Sequence, residues 1–413
     1  MSQRFGRGLA RTALLILLAP GLVQAAGFQS IEQGTWDMGR ASVGIASAAD
    51  SAATAFFNPA GMVLREQPEL TAGGMVILMD SEFDVGPGTT FTGGDGGNAG
   101  ENGVVPSGPF FVYPVDEDLA LGFSLTAPFV GTLDYGSTWA GRYMIQKIEF
   151  MSMRFAPAVG YRVNEWLSVG GYIGFNYTEL DIKAAVPIPA PGDGQLHIKD
   201  ADQWVVNFSL GAMLEPWEGT RIGLSYTSEV DNDDMHGSIK VSGAAASISA
   251  GLDTKLTLPQ AFVGGIRQEV TDKLVLFADA WWVDFSAFDA IKLDLSTGVR
   301  LDLITHFSDT YAYGFGAEYE LDPEWTLMAG YSYASSPVRG KNRNPSLPFD
   351  RQIRYAAGVR HAWNETMEVA FSYEYLDFGN GRTNQTLGGG DTLQGEYDTN
   401  HAHFFALTLN KRF

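Results

Sequence analysis

Apolar and polar residues alternate with a period of two through much of this sequence, and that pattern limits the possible fold more than any other feature. Residues 367 to 376 show it most simply, because every second position is apolar: Met367, Val369, Phe371, Tyr373 and Tyr375. Residues 167 to 178, 311 to 319 and 325 to 334 repeat the pattern. A strand with one apolar and one polar face suits a wall between lipid and a polar interior, and aromatic residues at strand ends suit the membrane interfaces.

Counting such runs predicts an all-β fold, a 14-stranded antiparallel transmembrane β-barrel. The predicted strands are residues 68–79, 107–114, 118–130, 147–162, 167–180, 201–214, 220–230, 254–269, 273–288, 309–320, 325–335, 350–361, 366–378 and 400–413. Short turns at residues 116–117, 164–165, 216–218, 271–272, 322–324 and 363–365 alternate with long loops. An even strand number, with short turns at one rim and long loops at the other, is typical of Gram-negative outer-membrane barrels with periplasmic termini.

The first 25 residues have the features of an export signal. Arg4, Arg7 and Arg11 precede an apolar run over residues 13 to 22, and small residues surround the predicted cleavage site after Ala25. A membrane anchor is the alternative, but this run is about half of the ~20 residues that span a bilayer as a helix. The predicted organisation is a signal peptide at residues 1–25, an N-terminal hatch at residues 26–66 and a transmembrane barrel at residues 67–413.

Charge and cysteine content exclude several classes of protein. Removal of the signal leaves 24 basic residues against 48 acidic ones, so a nucleic-acid partner is not expected. Cysteine is absent, which excludes disulfides and thiolate metal sites. After the signal no run approaches 18 apolar residues, so an exported chain of this kind enters the membrane only as a closed barrel. We expect it to lie in the outer membrane, in contact with lipid and lipopolysaccharide, as a monomer that crosses many times.

The hatch is unusually rich in small residues. Between residues 41 and 61, 13 of 21 positions are Ala, Ser or Gly. This composition neither alternates like a strand nor carries the long side chains of a core helix. Since such a segment packs where space is tight, we predict that it folds back into the barrel and closes the lumen.

The sequence contains no recognised catalytic motif. G-x-S-x-G, H-E-x-x-H and G-x-x-x-x-G-K are all absent, so we expect neither an enzyme nor a cofactor or metal site. An outer-membrane lipid hydrolase remains an alternative of another class, and it would require a Ser and a His that converge at the outer rim. A surface protein whose loops bind other cells is a further alternative. Neither alternative explains a small-residue plug ahead of a barrel.

Several motifs together resemble one family, the FadL-type outer-membrane transporters of long-chain fatty acids and hydrocarbons. The resemblance covers essentially the whole mature chain, and the motifs that carry it are residues 27–29, 39–50, 57–61, 139–143, 322–327, 336–338 and the last strand. It implies a fourteen-stranded barrel whose hatch closes the lumen and moves to admit a hydrophobic ligand. The hatch residues it singles out are Phe28, Asn58, Pro59, Ala60 and Gly61. Uptake of monoaromatic hydrocarbons is the nearest alternative function.

The resemblance also implies that the ligand leaves sideways, at a kink in the third strand. Pro128 lies in that strand, and because proline has no N–H it interrupts a ladder of hydrogen bonds. Gly131 follows it and adds backbone freedom. We therefore predict a lateral opening at Pro128 and Gly131; the alternative is that Pro128 only ends the strand.

Candidate ligand-binding residues fall into three groups. Phe277 and Trp281 face inward in strand phase and would line an apolar path, or else pack on the plug. Two apolar loop segments would capture the ligand first, through exposed side chains that usually mark interaction sites: Val186, Ile188, Ile239 and Val241. Guanidinium groups suit a ligand carboxylate, or alternatively pair with barrel acids such as Glu368 and Glu374; the candidates are Arg142, Arg154 and Arg354.

Overall fold

The computed structural model describes residues 31–413 except 92, 188–191, 244–246, 289, 299, 305, 339–341 and 388–389. The predicted signal peptide, Phe28 and Ile188 lie outside the described residues. The described strands are β1 (Glu69–Val85), β2 (Gly103–Pro114), β3 (Leu119–Asp134), β4 (Lys147–Asn164), β5 (Leu167–Val186), β6 (Gly194–Trp217), β7 (Thr220–Thr227), β8 (Val230–Ser242), β9 (Ile248–Leu258), β10 (Ala261–Thr271), β11 (Leu274–Val283), β12 (Ala290–Leu295), β13 (Arg300–Ile304), β14 (Thr310–Asp322), β15 (Trp325–Ala334), β16 (Gln352–Asn364), β17 (Met367–Asp377), β18 (Thr383–Thr386) and β19 (Thr392–Arg412).

Fourteen of these strands pair in one closed antiparallel ring. The order around it is β1, β2, β3, β4, β5, β6, β7, β10, β11, β14, β15, β16, β17 and β19, and β19 pairs again with β1. Each barrel strand overlaps one of the fourteen predicted segments. The prediction of a 14-stranded barrel is therefore confirmed.

Several predicted long loops contain strand residues that the sequence analysis missed, and one of them, at residues 379–399, contains β18 and the start of β19. β8 and β9 lie in the predicted loop at residues 231–253, and β12 and β13 lie in the one at 289–308; together they extend the sheet beyond β6. β5 and β6 likewise continue as a hairpin into the loop predicted at 181–200. The predicted strand 254–269 is in fact the end of β9 and most of β10, because Pro259 cannot donate to a ladder and separates them.

The predicted faces hold along the barrel. In β14, Tyr311, Tyr313 and Phe315 are exposed while the residues between them are buried or half-buried. Exposed aromatic residues recur near the short-turn rim, at Trp166, Trp217, Trp325 and Trp363. Apolar residues therefore cover the outer wall, and aromatic residues lie where a bilayer ends. Among the described residues, no helix is both long and apolar enough to cross a membrane.

The hatch lies inside the barrel. Its described part has one short helix, α1 (Thr54–Phe57), and two 3₁₀ turns, Met38–Arg40 and Pro59–Leu64. The first turn contacts β14 to β17, whereas the second contacts β2 to β6 across the lumen. Most of residues 32–63 are buried. A segment that touches opposite walls and has little exposed surface fills the bore between them.

Inward-facing glycines let the hatch backbone approach the wall closely. A Cβ on Gly330 would lie 2.1 Å from the backbone of Arg40, and one on Gly223 would lie 1.8 Å from the carbonyl oxygen of Ala46. Within the hatch, Ala41, Ser42 and Ala49 adopt left-handed conformations with φ between 48° and 56°. Such conformations are unfavourable for non-glycine residues and persist where surrounding contacts hold them. Small side chains are thus required on both sides of this contact.

Candidate functional site

The outer half of the barrel interior is apolar rather than aqueous. One cluster of buried side chains joins inward-facing residues of the outer strand ends with residues of the outer loops. It includes Met79 and Phe83 of β1, Leu133 of β3, Leu180 of β5 and Leu393 of β19. An apolar interior above the hatch suits passage of a hydrophobic molecule, because burial stabilises such a molecule by about 0.8 kcal/mol per CH₂.

A cavity lies between this apolar region and the hatch. Its volume is about 70 Å³, and it is partly open to solvent. Its lining includes Trp281 of β11 and three aromatic side chains of the segments that connect barrel strands, Phe285, Phe349 and Phe378. Ile31 and Glu32 of the hatch contribute on the opposite side. A mostly apolar cavity with a few polar groups is the usual form of a small-molecule site.

The polar end of the cavity is an arginine with two carboxylates. Arg354 of β16 is buried and donates from Nε to Glu32 Oε1 at 2.8 Å. Glu374 of β17 lies 3.4 Å from the same nitrogen and is buried completely. The sequence analysis predicted Arg354 as an inward-facing cation and named pairing with Glu374 as the alternative. Arg354 lines the cavity and also has carboxylate partners.

A charged cluster anchors the hatch near the middle of the lumen. Arg40 forms ion pairs with Asp37 and Asp50 of the hatch and with Glu318 of β14, the last at 2.5 Å. Arg360 of β16 contacts Glu318 at 2.8 Å and Asp50 at 3.4 Å. Two arginines therefore face three carboxylates across the boundary between hatch and wall. Because these charges are buried, each depends on its partners to offset the loss of hydration.

Asn58 shapes the second 3₁₀ turn of the hatch. Its side-chain oxygen accepts from the Ala60 N–H, and its amide donates to the carbonyl oxygens of Ala46 and Ala212, at 2.7 and 3.1 Å. Pro59 follows at the first position of the turn, where a missing N–H costs little. Packing at Gly61 is tight, since a Cβ there would lie 2.4 Å from Thr54 Oγ1. The residues 58–61 thus join the hatch to itself and to β6.

Pairing between β2 and β3 covers only part of their length. The ladder runs from Pro114 with Ala120 to Phe110 with Ser124, and ends there. Beyond it, residues 103–107 of β2 pair only with β1, and residues 125–126 and 129–134 of β3 pair only with β4. The wall therefore contains a break in its hydrogen bonding between two fully described segments.

Pro128 lies beside this break, in a bulge. Thr126 pairs with Arg154 and Phe129 pairs with Ser152, so three steps along β3 match two along β4. β3 nevertheless continues to Asp134, and Pro128 does not end it. Strict alternation from the exposed Leu121 and Leu125 would put Phe129 on the outer face, but Phe129 is buried, because the extra residue of the bulge reverses the alternation. Gly131 lies within the continued strand.

Gln33 of the hatch bonds to both edges of the break. Its side-chain oxygen accepts from the Ala127 N–H of β3 at 2.8 Å, and its carbonyl oxygen accepts from the Ser107 hydroxyl of β2. Thr35 donates its N–H to the same hydroxyl at 3.3 Å. The hatch thus supplies hydrogen bonds at a place where the two strands do not supply them to each other.

Arg154 lies next to the bulge and points inward. It donates from Nε to Asn176 Oδ1 at 2.7 Å and from Nη1 to the Tyr172 hydroxyl at 2.8 Å. Within the described part of the chain, no carboxylate lies within 4 Å of it. Its guanidinium is buried, and a buried cation without an anion is unfavourable unless another group compensates it. Among the described residues, Arg154 therefore differs from Arg354 in having neutral hydrogen-bond partners rather than carboxylates.

The two predicted aromatic wall residues have different surroundings. Phe277 packs on the hatch, with the Arg40 guanidinium 4.2 Å from its ring and Gly44 against its edge. Trp281 packs against Ile45 and also lines the cavity. The alternative of packing on the plug therefore applies to Phe277, whereas Trp281 contacts both plug and cavity.

Arg142 ties three outer loops together. It donates to Asp193 at 2.7 Å, to the Gly93 carbonyl at 3.1 Å and to the Trp139 carbonyl at 3.2 Å. Tyr143 donates its hydroxyl to the same Asp193. Arg142 thus joins these three loop segments to one another. Of the predicted capture residues, Ile239 is buried in the outer apolar cluster, and Val186 and Val241 are half-buried.

We expect this contact between loops to weaken in acid. Hydrogen bonds from Arg142 and Tyr143 hold the pKa of the Asp193 carboxyl below its usual value. A lowered folded pKa means that the contact is fully present above the usual Asp pKa of about 3.9 and is lost as pH falls through the lower folded value. Because the pair is partly exposed, the change should be only about 0.2–1 kcal/mol.

Hydrogen exchange of residues 139–145 tests this, compared at pH 7 and pH 3 after correction for intrinsic rates. Protection should fall in the wild type, whereas Asp193→Asn should show the weaker protection at both pH values. Equal pH dependence in the two proteins would contradict the assignment.

Comparison with known proteins identifies the family. The family model described as outer membrane protein transport protein (OMPP1/FadL/TodX) matches residues 16–413. The chain belongs to this family. Outer membrane protein P1 of Haemophilus influenzae is 26% identical over 464 residues, covering 100% of both chains. The long-chain fatty acid transport protein of Salmonella typhi is 26% identical, covering 89% of this chain and 91% of that protein.

A solved structure of a Pseudomonas aeruginosa FadL homologue has the same fold. Its TM-score is 0.86 at 19% identity, and the match covers 94% of this chain and 100% of that one. The OMPP1/FadL/TodX family consists of transport channels, so the protein is a multi-pass outer-membrane transporter and not an enzyme. The predicted family and location are confirmed, and the alternative of a lipid hydrolase is wrong.

Sequence analysis missed four residues at the centre of this site. Glu32 and Gln33 belong to the hatch but carry no periodic signal, and Glu318 and Arg360 are single charges on inward faces of strands. In this OMPP1/FadL/TodX barrel, the inward-facing charged residues Glu318 and Arg360 do form ion pairs inside the lumen. Their partners depend on how the hatch folds, which no local pattern indicates.

Proposed function

We propose that the hydrophobic cargo of this transporter is a long-chain fatty acid or a similar compound, taken up passively. The observation that carries the proposal is the apolar cavity that ends at Arg354, below an apolar outer interior. The named function of the Salmonella relative supports the same class of cargo. Cargo enters through the outer loops, where Val186, Ile239 and Val241 lie near the top, and then occupies the cavity above the hatch.

We further propose that cargo leaves sideways through the break between β2 and β3, after the hatch moves. Phe129 and Leu133 line the inner side of β3 there, and Arg154 without a carboxylate partner offers a second contact for an acidic head group. A lateral route into lipid keeps an apolar chain out of water. The apolar residues exposed on the outer wall support a monomer surrounded by outer-membrane lipid and lipopolysaccharide.

Deletion of Pro128 tests the lateral route. The deletion removes the extra residue of the bulge, so β3 should pair continuously with β4 and come into line with β2. Uptake of a radiolabelled long-chain fatty acid by cells should fall to the level of cells without the protein. Deletion of Gly136, in the outer loop after β3, is the matched control and should leave uptake unchanged. Normal uptake by a correctly folded Pro128 deletion variant would refute the route.

Monoaromatic hydrocarbons are the second candidate cargo. Four aromatic side chains of the cavity favour it: Trp281, Phe285, Phe349 and Phe378. Such a cargo has no carboxylate, so its uptake should not depend on Arg154 or Arg354. Growth on toluene that is lost on deletion of the gene, with fatty-acid uptake intact, would favour this candidate over the first.

A further inference from the structure

Glu32 occupies the place in the cavity where a cargo carboxylate would bind. Its carboxylate accepts the charge-assisted hydrogen bond from Arg354 Nε, and both side chains are about 5% exposed or less. Ile31, its neighbour in sequence, contributes to the lining of the same cavity. The hatch therefore presents an aliphatic side chain and a carboxylate to a site proposed to hold a molecule with the same two features.

We propose that Glu32 is an internal substitute for the cargo's head group, and that a fatty-acid carboxylate replaces it at Arg354. This inference rests on the proposed function. A simple addition of the cargo is unfavourable, because Glu374 already lies 3.4 Å from the same guanidinium. Three carboxylates around one buried cation would repel one another, whereas a one-for-one exchange leaves the charge of the site unchanged.

The exchange has a consequence at the opposite wall, through Gln33. Glu32 bonds to β16, and the next residue bonds to Ala127 of β3 and Ser107 of β2. Consecutive Cα atoms are about 3.8 Å apart, so a backbone shift at Glu32 that follows its displacement also shifts Gln33. Loss of the Gln33 hydrogen bonds removes the contacts that this hatch residue makes with both β2 and β3 at the break between them.

The charge of the cargo then decides whether Gln33 leaves the break between β2 and β3. A fatty-acid anion competes with Glu32 for Arg354 and frees Gln33. A neutral molecule of the same length fills the apolar part of the cavity but has no charge with which to displace Glu32. Head-group recognition and lateral release are thus coupled through two consecutive residues of the hatch.

Binding measurements with Glu32→Gln test the substitution. Gln keeps the size of the side chain and removes its charge, so dodecanoate should bind the detergent-solubilised variant about tenfold or more tightly than the wild type, the scale of one charged hydrogen bond. Dodecanol affinity should not change. Glu66→Gln is the matched control, because Glu66 is an exposed hatch residue, and it should leave both affinities at the wild-type values.

A reporter beside the break tests the coupling. The chain contains no cysteine, so Val104→Cys places a single environment-sensitive dye on the exposed face of β2, and Val169→Cys places one on β5 as a control. Dodecanoate should change the signal at position 104 but not at 169, and dodecanol should change neither. In a Glu32→Gln background, the signal at 104 should be altered before any ligand is added.

The possible results distinguish a failure of this inference from a failure of the proposed function on which it rests. Equal tightening of dodecanoate and dodecanol by Glu32→Gln would mean a loosened hatch, and an unchanged dodecanoate affinity would mean no competition; either result overturns the inference while uptake of fatty acids stands. Failure of the wild type to bind either compound would instead overturn the proposed function.

Discussion

Deletion of residues 31–60 should convert a closed barrel into an open pore. These residues fill the lumen between β2–β6 on one side and β14–β17 on the other, and most of their surface is buried there. A ring of fourteen strands is close in size to porin barrels of 16–18 strands, which leave an aqueous channel when nothing fills them. Single-channel conductance in planar bilayers should therefore rise at least about tenfold.

The deletion is informative only if the barrel still forms. Retarded migration of unheated protein in detergent gels, reversed by heating, shows that the ring of strands is intact. The matched control is deletion of Ser296, Thr297 and Gly298 from the exposed tip of the hairpin between β12 and β13, which should not raise conductance to the same level. A folded hatch deletion that conducts no better than the wild type would show that something else closes the lumen.

Replacement of Arg40 by Leu should release the hatch without removing it. Arg40 is fully buried and pairs with Asp37, Asp50 and Glu318, so its loss leaves Arg360 alone among three carboxylates. Loss of one partner from a buried ion pair costs about 3–5 kcal/mol. Since 1.36 kcal/mol is tenfold in an equilibrium, the open population should rise more than about a hundredfold.

Open probability in single-channel records measures this change, and limited proteolysis of the hatch supplies a second measurement. Arg382→Leu is the control, because Arg382 forms one ion pair, with Glu396, on the outer surface with its side chain 79% exposed. The control should behave as the wild type. If Arg40→Leu stays as closed and as protease-resistant as the control, the charged cluster does not hold the hatch.

Local alternation was enough to predict the barrel. Each of its strands has one lipid-facing and one inward face, so the pattern of Tyr311, Tyr313 and Phe315 reports a two-sided environment directly. The outer hairpins were missed although β9 alternates in the same way, with Leu252 and Leu256 buried on either side of the exposed Asp253 and Lys255. The inward orientation of Phe129 was not predicted, because a bulge shifts the alternation of faces by one residue and has no signature in the composition.

The sequence by itself determined the strand number and the outer-membrane location, since both follow from the period and the composition of single segments. Only the tertiary structure decided that Glu32 binds Arg354, that Arg40 contacts Glu318, that Arg154 binds Asn176 and Tyr172 and that Gln33 bonds to both strands at the break between β2 and β3. These contacts join residues up to 322 positions apart. Their partners are set by how the hatch sits in the bore, because charge and hydrogen bonding act through distance in space and not along the chain.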